Sequence, residues 1–246
     1  MCLLAIQVQV CNATPIMVAA NREESYGRSS TPPIFHDETP RLVCGTDERA
    51  GGTWLGVNQY GLVVAVTNRP LATPPEEPQS RGQLCRQLLQ CTSASAASHR
   101  AETQILRELY DGVNVLCADA HSAYVVHGGD NVEVIELEPG LHLIAAGDLN
   151  DENDERLNLA RELFAEHEIG TADGFLQAAT KVMAYSSDDA DSPSIVLHGE
   201  DRGTVSSTLI TLANFRNRST YYFAQGSPDR QPYRDCSAHL HKVLGI

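Results

Sequence analysis

Helical patterning comes in pairs in this chain, and each pair is set between blocks of several strands. Leu84, Leu88 and Leu89 share one face of a first helix, and Ile105, Leu106 and Leu109 one face of a second, beyond a Ser/Ala-rich stretch. Further on, Leu157, Ala160, Leu163 and Phe164 form the apolar face of a third helix, and Phe175, Ala178, Ala179 and Val182 that of a fourth. The remaining apolar runs are short and β-rich. They lie at 2–10, 16–20, 42–44, 53–57 and 62–67, then at 113–117, 123–127, 132–137 and 141–145, and finally at 194–198, 205–212 and 219–224. A parallel sheet needs a crossover helix after each strand, so paired helices between strand blocks argue against βαβ units. The order predicts an α+β fold, a four-layer αββα sandwich of two stacked sheets with a helix pair on each outer face. No repeat and no linker divides the chain, so residues 1–246 read as a single domain.

Chemistry concentrates at the first two dozen residues. Two β-rich runs flank a turn around 12–15, and the second run ends abruptly in Asn21-Arg22-Glu23-Glu24. An antiparallel hairpin brings the start of its first strand beside the end of its second, which places Cys2 near Asn21, Arg22 and Glu23. Removal of Met1, usual before a residue as small as cysteine, would leave a thiol and a free α-amine on one carbon. An α-amine titrates near pH ~8, so it can take the thiol proton and later return it to a leaving group. Nucleophile and general base then share one residue. Glu23 is positioned to orient the ammonium, Arg22 to favour thiolate or anchor an anionic group, and Asn68, at the end of the 62–67 strand, to stabilise an oxyanion.

Composition narrows the partners. Acidic residues outnumber basic ones 32 to 18, the net charge is −14, and Lys181 and Lys242 are the only lysines. Without a basic cluster, nucleic acid and anionic membrane are not expected partners. No apolar run reaches spanning length, and the start has no basic region or cleavage signature, so neither membrane insertion nor a signal peptide is expected. Seven cysteines at irregular spacing do not form a disulfide framework, and a reducing cytoplasm is the expected location.

Several segments match a known family in order. They are Met1-Cys2-Leu3-Leu4, Ala19-Ala20-Asn21-Arg22-Glu23-Glu24, Gly51-Gly52-Thr53-Trp54-Leu55-Gly56-Val57 and Val66-Thr67-Asn68-Arg69. Ser80-Arg81-Gly82, Asn114 and Gly203-Thr204-Val205-Ser206-Ser207-Thr208 continue the match. The chain resembles the NRDE family, also called the transport-and-Golgi-organisation family. The resemblance implies an αββα fold like that of the N-terminal-nucleophile hydrolases, whose cysteine amidohydrolases also begin Met-Cys. It gives Cys2 the role of nucleophile, Glu23 that of an aspartate in those enzymes, and Asn68 that of an oxyanion donor. Asn21, Trp54 and Arg69, beside these positions in the motifs, are candidate substrate contacts. The chain departs from the pattern at Glu23 (for Asp), at Ala145-Ala146 (for Ser-Asn) and at Val205 (for Arg).

Two functions follow. One is a cysteine hydrolase acting on a non-peptide carbon–nitrogen bond of a small molecule. The other is a non-catalytic binding or trafficking protein for a lipophilic ligand, haem or acyl-CoA-like, which the resemblance also implies and the lost polar positions favour. No metal or other cofactor is expected: Cys236, His239 and His241 lack a fourth ligand and read as a frayed tail. Residues 148–153 lack the glycine of a calcium loop and read as a helix entry capped by Asp151 or Asn153.

Overall fold

A computed structural model describes residues 2–189 and 192–246. Met1, whose removal is expected above, and residues 190–191 lie outside the described residues. The chain divides into two compact units, one of Met1–Gly27 with Pro139–Ser237, the other of Arg28–Glu138 with Ala238–Ile246.

In the first unit, strands numbered along the chain form a six-stranded antiparallel sheet in the order β10-β1-β2-β11-β12-β13. They span Gly140–Ile144, Leu3–Val8, Ile16–Ser25, Arg202–Leu212, Thr220–Ala224 and Arg234–Asp235. The expected hairpin is present, with Leu3 opposite Asn21 and Val8 opposite Ile16. Side chains alternate across the pleat. Leu3, Ala5, Met17, Ala19 and Leu209 therefore share one face, and α3 (Glu155–Ala165) and α4 (Ala172–Met183) cover it. The buried positions of these helices include Leu157, Ala160, Phe164, Phe175, Ala178, Ala179 and Val182, as the 3.6-residue period predicts. Phe164 and Phe175 stack at 6.0 Å between centroids. Asp154 caps α3, accepting from the Arg156 and Leu157 N–H groups. Asp151 instead closes the preceding turn by accepting from Asn153 N.

The second unit is a seven-stranded meander running β3-β4-β5-β6-β7-β8-β9 in chain order. Its strands are Ile34–His36, Leu42–Cys44, Leu55–Asn58, Val63–Asn68, Val113–Ala118, Ala123–Gly128 and Val132–Glu136. The helices α1 (Arg81–Leu88) and α2 (Ala94–Arg107) pack on one face through a single apolar cluster. Side chains of Ser80 and Ser93 cap them. The Asn58–Gly61 turn closes with Gly61 at φ +82° and Asn58 Oδ1 accepting from Tyr60 N and Leu62 N. Gly52 lies against the backbone of Gly82, where an added Cβ would stand 2.2 Å from the Gly82 carbonyl carbon.

Four expectations are corrected. The buried face of α2 is Ala94, Ala97, Ser98 and Ala101, whereas Leu106 and Leu109 are 68% and 69% exposed. The helix ends at Arg107, so the leucines fall at or beyond its last turn. Residues 194–198 make no strand; Ile195 N and Val196 N both donate to Tyr185 O, which curls the segment round that carbonyl. Ile34–His36 is a strand where the sequence marks no β-rich run. The C-terminal segment is not frayed, because α5 (Ser237–Leu244) buries Leu240 and Val243.

Candidate functional site

Cys2 stands just before β1, where the hairpin brings it level with the end of β2. Glu23 N–H donates to Cys2 Sγ at 3.5 Å, and the thiol lies 4.0 Å from Glu23 O. Burial pushes the Cys2 thiol up, and the negative charge of Glu23 adds to this. The Glu23 backbone and the Arg22 guanidinium pull the other way. A thiol raised in this way is protonated at neutral pH.

Alternation along β2 sorts the neighbouring side chains. Arg22 shares a face with Ala20 and Val18, while Asn21 and Glu23 share the opposite face with Ala19 and Met17, beneath α3 and α4. There Asn21 Nδ2 donates to Met183 O at 2.9 Å, holding the end of α4 to the sheet. The Glu23 carboxylate receives both Arg156 terminal nitrogens, with Nη1 to Oε2 at 3.1 Å, and Thr204 Oγ1 lies 3.5 Å from its Oε1. Arg156 also donates to Ser194 O and Ile195 O. Glu23 is therefore committed to a buried ion pair on the helix-bearing face.

Across β2, the strand β11 carries a bulge. Glu23 pairs with Thr204 and Arg22 with Ser206, leaving Val205 as the extra residue. The bulge puts Ser206 on the Arg22 face. Its Oγ is fully buried and has no hydrogen-bond partner among the described residues. A buried hydroxyl normally has a partner, so this one is a candidate contact for a bound molecule. Ser206 and Arg156 were not singled out in the sequence. The first hides inside a Ser/Thr-rich motif, and the second sits 133 residues from its carboxylate partner.

Asn68, Trp54 and Arg69 belong to the second unit. Asn68 closes β6 opposite Val113. Trp54 is half-buried against the cluster under α1 and α2, with its ring over Gly45. Arg69 anchors through its N–H to Gly112 O at 2.8 Å and through Nη1 to Asn114 Oδ1 at 3.4 Å. Thr67, Asn114 and His127 lie in register across β6, β7 and β8 as a buried polar row. Asn114 Nδ2 donates to Thr67 Oγ1 at 3.3 Å, and Asn114 Oδ1 lies 2.7 Å from His127 Nδ1, which carries the proton.

Two solved structures share the fold. A Caenorhabditis elegans N-acylethanolamine-hydrolyzing acid amidase ortholog matches with TM-score 0.55 and 11% identity over 85% of this chain and 92% of that one. The C2A mutant of conjugated bile acid hydrolase from Clostridium perfringens matches with TM-score 0.52 and 10% identity over 97% and 93%. The chain thus has the α+β fold of these hydrolases, as the element order and the resemblance predict. A family model described as Transport and Golgi organisation 2 matches residues 1–222, and the chain belongs to that family. The mouse Transport and Golgi organization 2 homolog is 32% identical over 142 residues, covering 53% of this chain and 50% of its own length. The human homolog is 31% identical over 115 residues, covering 46% and 41%. The chain spans about half the length of the curated relatives it matches. No helix among the described residues is long and apolar enough to cross a membrane.

Proposed function

We propose that this chain is a cysteine amidohydrolase of the N-terminal-nucleophile type, acting on a non-peptide carbon–nitrogen bond of a small molecule. The observation that carries this reading is the position of the Cys2 thiol. It lies at the mouth of the β1–β2 hairpin, level with Arg22 and with the unpartnered Ser206 hydroxyl in the same cross-strand row. Support also comes from the fold, since one solved neighbour is named for hydrolysing conjugated bile acids and the other for hydrolysing N-acylethanolamines.

With Met1 removed, the α-amine of Cys2 takes the thiol proton as sulfur bonds to the substrate carbonyl carbon. The resulting ammonium then protonates the leaving amine as the carbon–nitrogen bond breaks. Water, deprotonated by the same amine, attacks the thioester and releases the acid. A thiol held protonated by burial suits this cycle, because the base is needed only when substrate is bound. Arg22 favours the thiolate as it forms and can hold a negative group of the substrate.

The binding-protein reading draws on one observation. Ala145 and Ala146, where relatives are expected to carry Ser-Asn, are buried alanines at 3% and 5% exposure and offer no polar side chain. A panel of N-acyl amides assayed for released amine separates the two readings. The hydrolase reading expects turnover by the wild type and none by a folded Cys2→Ala protein. Equal turnover by Cys2→Ala would overturn it, and saturable binding with no turnover in either protein would install the alternative.

A further inference from the structure

A groove of about 470 Å³ lies in the first unit, on the face of the sheet that carries α4 and Glu23. Leu176 of α4, Leu209 of β11, Tyr222 of β12 and Pro232 of the following loop form its walls. The volume is within the range of about 300–1,000 Å³ typical of small-molecule sites. Its chemistry is unusual for this chain. A fifth of the residues are charged, yet among the described residues no carboxylate, ammonium, guanidinium or imidazole lines the groove. The polar groups are neutral: Gln177 and Gln231, the Thr180 hydroxyl and two phenols. Tyr233 is fixed by a 2.7 Å hydrogen bond to Ser207 Oγ, and Ser207 is wholly buried in β11. Burial also pushes the Tyr233 phenol up, so this wall stays neutral across the physiological range.

We propose that this groove binds an uncharged lipophilic small molecule, at a site separate from Cys2. Apolar walls favour the body of such a ligand, and the glutamine amides can each give and accept one hydrogen bond at a neutral hydroxyl or amide. A phosphate or carboxylate would meet no cation among the lining residues, only a few neutral donors, and would not recover the hydration it loses. Charged lipophiles, including acyl-CoA and haem with its propionates, therefore do not suit it. The groove lies under α4, whereas Arg22 and Ser206 are on the opposite face of the same sheet, so the two sites can be perturbed independently.

The test is a fluorescence titration of the full chain with the neutral dye Nile red. Saturable binding at one site per chain is expected, unchanged in Cys2→Ala. Thr180→Trp and Gln177→Trp, at two exposed positions of α4, each put an indole into the groove without touching the core. Each should weaken binding about tenfold or more, with circular dichroism confirming the fold. A neutral long-chain amide should displace the dye at least about tenfold better than the carboxylate of the same length. Absence of saturable binding, affinity unaltered in both tryptophan variants, or equal displacement by the carboxylate would each overturn the proposal. So would a concentration-dependent dimer that excludes the dye, which would make the groove a contact between copies.

Discussion

Replacing Arg156 by alanine should be among the most damaging single changes outside the hydrophobic core. The Glu23 side chain is 1% exposed and that of Arg156 14%, so little solvent is available to take over from the lost partner. Removing one member of a buried pair leaves an uncompensated charge, which costs about 3–5 kcal/mol. The Ser194 and Ile195 carbonyls lose a charged donor in the same step. For a chain of this length each kcal/mol shifts the melting temperature by about 2–4 °C, so a fall of about 6–20 °C is expected by differential scanning calorimetry. The exposed negative charge would also raise the Cys2 thiol further, slowing its alkylation by iodoacetamide at pH 7. The double variant Glu23→Leu/Arg156→Leu removes both charges and should be less damaged than Arg156→Ala, since an apolar pair carries no desolvation penalty. A loss below about 1 kcal/mol in Arg156→Ala would mark the pair as an ordinary surface contact and refute the reasoning. Additive losses in the double variant would refute it equally.

Two further outcomes are expected. Gly52→Ala drives a Cβ into the Gly82 backbone, where neither side can yield cheaply, and a loss of about 1–3 kcal/mol or more should appear in urea unfolding; a wild-type midpoint would contradict this. Stability should also fall in alkali. Burial pushes the Cys44 thiol up to about 11, while the unfolded chain gives up that proton near the ordinary value of 9.0. Between these values the folded state binds more protons than the unfolded state, so its advantage is complete below about pH 9 and lost as pH rises through 11, about 2–3 kcal/mol from this residue alone. Cys44→Ala should flatten the decline measured by unfolding between pH 8.5 and 11, and an identical slope in the variant would count against it.

Periodicity made the helix pairs legible, because each helix buries one face against a sheet, and two short apolar runs flanking a turn made the hairpin legible. Leu157, Ala160 and Phe164 repeat at helical spacing, whereas Leu3–Val8 is an unbroken buried run of strand length. Weaker signals misled where size and length competed with pattern. In α2 the small Ala94, Ala97 and Ala101 form the packed face, whereas the larger leucines nearby suggested another. Ile34–His36 is too short to show alternation, and Leu240 and Val243 of α5 sit among polar residues that disguise the helix. At the site, the hairpin read from sequence placed Cys2 beside Arg22 and Glu23 but could not say which face each side chain takes. That depends on the pleat, and it sends Glu23 to Arg156. Nor could it place Ser206, whose position depends on a bulge that shifts the register of β11 by one residue.

In the proposed reaction Cys2 forms a covalent acyl intermediate with its own amine as base. The most direct measurement is intact mass with peptide mapping, after an acid quench of the purified chain turning over an N-acyl substrate. The account expects a chain lacking Met1 and an acyl adduct confined to the peptide that begins at Cys2. Retention of Met1 on every molecule, or an adduct found only at another residue, would contradict it.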